Sequence, residues 1–198
     1  MIDRNGGWQL VQDLTGTLRS RKPGAVLIAE EWADQSAFVR RSEEGGAGFD
    51  AVVDSGLREA IRAAMRQAAL GQGATVELDS IARELVPKHG PGWRSVHHLE
   101  NHDIVRVIND SGREPRIAGL ADGVDARSWY AQSRSRGANG LLLTAPGIPM
   151  LFMGQEFLDD KFWSDRPDFY APYVIWWVGL GAPRRPTNGG ARASIRPG

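Results

Sequence analysis

Apolar residues along the chain follow two rhythms, helical spacing and short unbroken runs, and polar residues gather where the runs stop. Trp8, Val11, Leu14 and Leu18 recur as one helix face until Lys22-Pro23-Gly24, which predicts a helix over residues 8–20. Residues 25–29 are apolar without alternation and end at Glu30-Glu31, the pattern of a strand buried on both faces. After a Gly-rich break at 45–48, residues 49–53 read as a second strand. Leu57, Ala60, Ile61, Ala64, Met65, Ala68 and Ala69 then keep the i, i+3, i+4, i+7 spacing of a helix capped by Asp54 or Ser55 and ended by Gly71. A shorter helix follows Asp79, with Ile81, Ala82, Leu85 and Val86 turned inward, until Pro87. Residues 93–99 form a third expected strand, closing in Glu100-Asn101-His102-Asp103. A helix with a less regular face over about 125–143 precedes a fourth strand, 148–153, which ends in Gly154-Gln155-Glu156.

Strands alternating with helices imply parallel pairing through right-handed crossovers. Polar clusters at the strands' carboxyl ends suit either a (β/α)8 TIM barrel or an open doubly wound sheet. A full barrel needs about 250 residues, and only four strands can be found in 198. The expected fold is therefore α/β, and if a barrel, half of one. Residues 179–198 carry four arginines, no acid and many Gly and Pro, too little apolar surface to offset ordering. The expected organisation is a partial barrel over 1–178 followed by a disordered tail.

Charge narrows the partners. Lys plus Arg equals Asp plus Glu at 24 each, so no basic field points to nucleic acid or an anionic membrane. Arg58, Arg62 and Arg66 recur at i+4 on the best-defined helix and read as a solvated face. The absence of cysteine excludes disulfides, thiolate-bound zinc, iron–sulfur clusters and a Cys nucleophile, and fits a cytoplasmic protein. The longest apolar run, 141–153, is cut by Pro146, Gly147 and Pro149, so no membrane span is expected. Neither a G-x-S-x-G elbow, a P-loop nor a dinucleotide-binding fingerprint occurs.

Two clusters could carry chemistry. Alternation puts Glu30 on the side of Val26 and Ile28, which in a barrel could be the lumen. A carboxyl at an apolar mouth is disfavoured as the anion, the condition for a general acid, and Trp32 could wall it; an ordinary solvated strand end is the plainer alternative. Glu100, Asn101, His102 and Asp103 place dense polarity after an apolar strand. With His97 and His98 they include metal-ligand residue types, but the spacing fits no zinc signature, and no metal or cofactor is expected. Recognition of a polyol suits them better: His102 would donate to hydroxyls while Asp103 faces developing positive charge. Trp32, Trp163, Trp176 and Trp177 could stack on sugar rings, although any one tryptophan is more often a packing residue.

Three segments, in order, resemble the α-amylase superfamily, glycoside hydrolase family 13. Residues 26–32, VLIAEEW, are similar to its fifth-strand motif, 99–103, LENHD, to its seventh, and 147–157, GIPMLFMGQEF, to its eighth strand and following loop. The resemblance covers about residues 1–177 and implies strands 5 to 8, the C-terminal half of the barrel. It implies Glu30 as general acid/base, Asp103 as stabiliser of the transition state, and substrate contacts from His102, Asn101 and Trp32. The text around residues 48–52, 101–103 and 153–157 is most similar to 1,4-α-glucan branching enzymes, with amylases and trehalose-forming hydrolases as near alternatives. The implied substrate is an α-glucan such as glycogen, starch or malto-oligosaccharide, cleaved with retention. The family's nucleophile lies in a segment resembling G-F-R-x-D, which does not occur here. The chain is therefore expected to be a truncated or frame-shifted piece, inactive alone and self-associating through its cut edges. A non-catalytic half-barrel that binds glucan or a partner, and an unrelated open α/β domain, remain the alternatives.

Overall fold

The structure, a computed structural model, describes residues 6–32, 35–108, 111–112, 114–166 and 175. Its elements run α1 (Gly7–Arg21), β1 (Ile28–Ala29), α2 (Gln35–Val39), β2 (Ala51–Asp54), α3 (Gly56–Ala69), α4 (Asp79–Glu84), β3 (Ser95–His98), β4 (Val107–Ile108), β5 (Ser111–Gly112), α5 (Ile117–Ala121), α6 (Trp129–Thr144) and β6 (Ile148–Met150). All four expected strands are present and form one parallel sheet in the order β1-β2-β3-β6. That order follows the chain without reversal. A doubly wound sheet reverses at a switch point, so the order favours an incomplete (β/α) barrel over the open α/β alternative.

The helices cover one face of this sheet. Leu57, Ala60, Ile61, Ala64 and Met65 of α3 are buried as their spacing predicts, against Leu99, Ile117, Leu120 and α6. The periodicity of α6 is faint in sequence because its buried stripe is Ala131, Ser135, Ala138 and Leu142, mostly small side chains. Its start is sharp: Ser128 accepts from the Ala131 N–H at 2.9 Å and donates to Asp122 at 2.7 Å. Under α1, Trp8 and Val11 pack with Ala29, Phe38 and Val52, and Trp8 meets Phe38 edge-on at 5.2 Å.

Several expectations change. Leu14 and Leu18 of α1 are exposed; the buried position is Thr15, whose hydroxyl donates to the Ala47 carbonyl at 2.7 Å. In α4 Ile81 is buried and Leu85 partly so, whereas Ala82 and Val86 face solvent. The strands are shorter than their apolar runs. The short α2 and α5 and the antiparallel β4–β5 pair were not expected, because each is too brief to show a period.

The arginine row of α3 is not a solvated face. Arg62 is 1% exposed and donates to Glu114, to the Leu99 carbonyl at 3.2 Å and to the Pro115 carbonyl at 2.8 Å; Arg66 joins Glu114 at 2.5 Å. The row faces acceptors supplied by a distant loop, which helical spacing alone cannot reveal. The expected tail, 179–198, and the Trp176–Trp177 pair lie outside the described residues.

Candidate functional site

Parallel register sets which side chains share a face. Ile28 pairs with Ala51, Val53 with Val96, and Val96 with Ile148. Ala51, Val53, Val96, Ile148 and Met150 form an apolar cluster on the face opposite the helices, the side that becomes the lumen when such a sheet closes. Alternation brings Val26, Ile28 and Glu30 to this face. Val26 is 66% exposed and Ile28 47%, so the strand expected to be buried on both faces is covered on one only. Its helix side packs, while its other side has no facing strands among the described residues.

Glu30 stands past the end of β1, exposed, with no hydrogen bond or ion pair among the described residues. Next to it, Trp32 is half exposed, and the Arg58 guanidinium sits 5.5 Å from its ring centre. Arg58 Nη1 also donates to His98 Nε2 at 2.9 Å. Because an arginine can only donate, that nitrogen accepts and His98 carries its proton on Nδ1, which has no partner among the described residues. Burial, then the neighbouring Arg58 charge, pushes His98 down to about 4, so it is neutral near pH 7. Sequence reading found Trp32 but not the Arg58–His98 pair; the one available signal was an arginine in the first turn of a helix that follows a strand.

The polar segment after β3 divides by role. Glu100 is 1% exposed and accepts from Arg116 Nε at 2.7 Å and from the Ile117 N–H at 2.8 Å. Arg116 also donates to the Met153 carbonyl at 2.8 Å and lies over Phe152 at 5.0 Å. This buried pair ties the end of β3 to the loop beyond β6, so Glu100 is structural and unavailable to a ligand. Asn101 is buried, and its Oδ1 accepts from the Ile104 N–H at 3.0 Å. The turn so made presents His102 and Asp103, both half exposed, with His102 Nε2 3.5 Å from Asp103 Oδ1. Trp163 stands edge-on to the His102 ring at 5.6 Å. It is held by the Val107 N–H donating to its carbonyl at 2.8 Å and its own N–H donating to Val105 at 3.0 Å.

The two ends of β6 each depend on a glycine, Gly147 before it and Gly154 in the loop beyond. A Cβ on Gly147 would stand 2.3 Å from the His97 ring, and Gly154 has φ +85° where a Cβ would press on Asp159. The structure thus gathers Trp32, Arg58 and His98 in one cluster and His102, Asp103 and Trp163 in another, both following strands of one sheet; Glu30 projects at the open face beside the first. Among the described residues no group of three or more His, Asp or Glu could hold a metal, and no helix is long and apolar enough to cross a membrane.

No family profile matches the chain. Among curated proteins it is similar to the 1,4-alpha-glucan branching enzyme GlgB of Kitasatospora aureofaciens, 25% identical over 170 residues, covering 85% of this chain and 20% of the relative. It is likewise similar to branching enzyme GlgB 1 of Streptomyces coelicolor, 26% identical over 174 residues with the same coverages. The chain spans about a fifth of the length of these relatives. In fold it resembles the α-amylase of Geobacillus thermoleovorans solved with acarbose: TM-score 0.56 at 24% identity, covering 78% of this chain and 31% of the other. The α-amylase of H. orenii gives TM-score 0.54 at 20% identity, covering 81% and 29%. The fold is an incomplete α-amylase-type barrel, and the resemblance read from three short segments holds in both sequence and architecture.

Proposed function

We propose that this chain carries the acid/base half of an α-glucan-active site of the retaining kind, most like that of a 1,4-α-glucan branching enzyme. In such a site two carboxyl groups about 5–5.5 Å apart divide the work. One attacks the anomeric carbon and expels the leaving oxygen, to which the other gives a proton; the second then takes a proton from the incoming hydroxyl as the glycosyl–enzyme bond breaks. Glu30 is assigned the second role. Asp103 faces the positive charge that develops on the sugar ring, His102 donates to ring hydroxyls, Trp32 offers an aromatic face, and Asn101 shapes the turn that carries the pair. With water as acceptor the same steps give hydrolysis, and with a 6-hydroxyl they give a branch.

What supports the reading most is a single arrangement: Glu30 continues the open apolar face of β1, while His102 and Asp103 leave the same end of the same parallel sheet through β3. No G-F-R-x-D segment supplies the attacking carboxylate, so the chain by itself is inactive. Its natural setting in this reading is cytoplasmic, with glycogen or malto-oligosaccharide as substrate. The edge strands β1 and β6 and the exposed Val26 and Ile28 are covered by self-association when no completing half is present.

The test is an assay on starch and maltoheptaose, first with this chain and then with an added N-terminal half-barrel from a related enzyme. The expected result is no turnover alone, turnover on complementation, and loss of at least about 100-fold with Glu30→Gln. Turnover by the chain alone, or complemented activity indifferent to Glu30→Gln, overturns the reading.

A further inference from the structure

Away from the exposed β1 face, the β1–β2 crossover and the segment before β3 line an open pocket of about 420 Å³. Its lining includes Arg40, Arg41, Lys88, His89 and Arg94, with Glu44 as the acid among them. Lys88 is matched by Glu84. Among the described residues Arg40, Arg41 and Arg94 form no ion pair, so three guanidiniums face one carboxylate in a chain whose overall charge is zero. Arg41 and Arg94 also line an adjoining cavity of about 390 Å³.

Two buried nitrogens there lack hydrogen-bond partners. Arg94 Nε has none, although the guanidinium rests 5.7 Å from the Trp93 ring centre. The His89 side chain is 6% exposed, its Nδ1 lies 3.1 Å from the Ser36 hydroxyl, and its Nε2 is orphaned, with Asp54 Oδ2 out of hydrogen-bond reach at 3.8 Å. Buried polar nitrogens are nearly always satisfied, and orphans beside surplus cations are what a site shows before an oxyanion enters it. Guanidinium forks match tetrahedral oxyanions two oxygens at a time. Three such charges against one carboxylate leave a surplus of two, the charge of a phosphate ester dianion. The volume exceeds what one phosphate fills and lies within the ordinary range for small-molecule sites.

We propose that this cavity is a phosphate-ester site, in which Arg41 and Arg94 bind the dianion, Arg40 flanks it and the organic group fills the remaining space. The site does not depend on the glucan reading, because it is built from the outer layer of this chain.

Calorimetric titration of the full chain at matched ionic strength tests it, using inorganic phosphate, glycerol 3-phosphate and chloride. The expected order is glycerol 3-phosphate tighter than phosphate, no saturable chloride binding, and a change in Trp93 fluorescence that is absent in Trp93→Phe. Arg94→Gln and the solvent-exposed change Arg41→Gln should each weaken binding about tenfold or more, Arg94→Lys should recover part of it, and Arg136→Gln on α6 should leave it unchanged. Equal affinity for phosphate and its ester would reduce the site to a free-anion site and contradict the ester assignment. No saturable binding, or affinity unchanged in folded Arg41→Gln, overturns the proposal entirely.

Discussion

The two faces of the one sheet differ in completeness. On the helix side, Ala29, Val52 and Leu99 lie beneath α1, α3 and α6, and two buried charges there are matched: Glu100 with Arg116, and Arg62 with Glu114 and two carbonyls. On the other side, Val26 and Ile28 look outward with little cover, and Glu30, assigned to chemistry, continues their line. Stability and the proposed function have therefore been placed on opposite faces. At the centre of that second face Ala51, Val53 and Val96 are buried, so what stands open is the β1 side and the mouth beside Glu30.

The sharpest contrast should come from charge. Arg116→Leu strands the Glu100 carboxylate inside the helix side and should cost about 3–5 kcal/mol. Asp103→Asn removes an exposed partner of His102 and should cost less than about 1 kcal/mol. Urea unfolding followed by circular dichroism measures both; equal costs would erase the distinction between the faces. Apolar truncation should repeat it on a smaller scale. Ile61→Ala empties a position that is 1% exposed and should cost about 2–5 kcal/mol, whereas Ile28→Ala, at 47% exposed, should cost well under half of that.

A third contrast is in pH. His98 titrates near 4 in the fold against 6.5 when free, so between those values the unfolded chain binds a proton that the folded chain refuses. Its contribution is full above pH 6.5, falls as pH drops through that window, and levels off below about 4, by up to about 3 kcal/mol. Stability measured from pH 7 to 4 should show that slope, and His98→Gln should reduce it, leaving the smaller part of the same sign that His89 supplies. An unchanged slope would mean that burial, with the Arg58 charge beside it, does not hold the His98 ring neutral.

How much of this was legible in the sequence follows from the range of each signal. Apolar or β-branched runs located four strands, and the helices expected after the second and third implied parallel order. The runs overstated strand length because an apolar residue such as Val26 looks the same whether it faces a helix or an empty lumen. Helical spacing put Leu57, Ile61 and Met65 inside correctly, since that pattern is local. It misread Arg62 because the groups that bury it, Glu114 and the carbonyls of Leu99 and Pro115, arrive from far along the chain. The same limit applies at the site: Glu30, His102 and Asp103 were visible as strand-end polarity, but Glu100 differs from them only through Arg116, and Arg58 meets Trp32 and His98 only once β1, α3 and β3 are assembled.

The central claim is that the helix side of this sheet is covered while the β1 part of its other side is open. Light scattering coupled to size-exclusion chromatography measures it most directly, run on the full chain with a dye that reports exposed apolar surface. The account predicts species larger than the 21.7 kDa monomer with bound dye, shifted toward monomer by Val26→Ser with Ile28→Ser, and unshifted by Leu10→Ser on the exposed side of α1. A single 21.7 kDa species with no dye binding, unaffected by the changes at Val26 and Ile28, would contradict it.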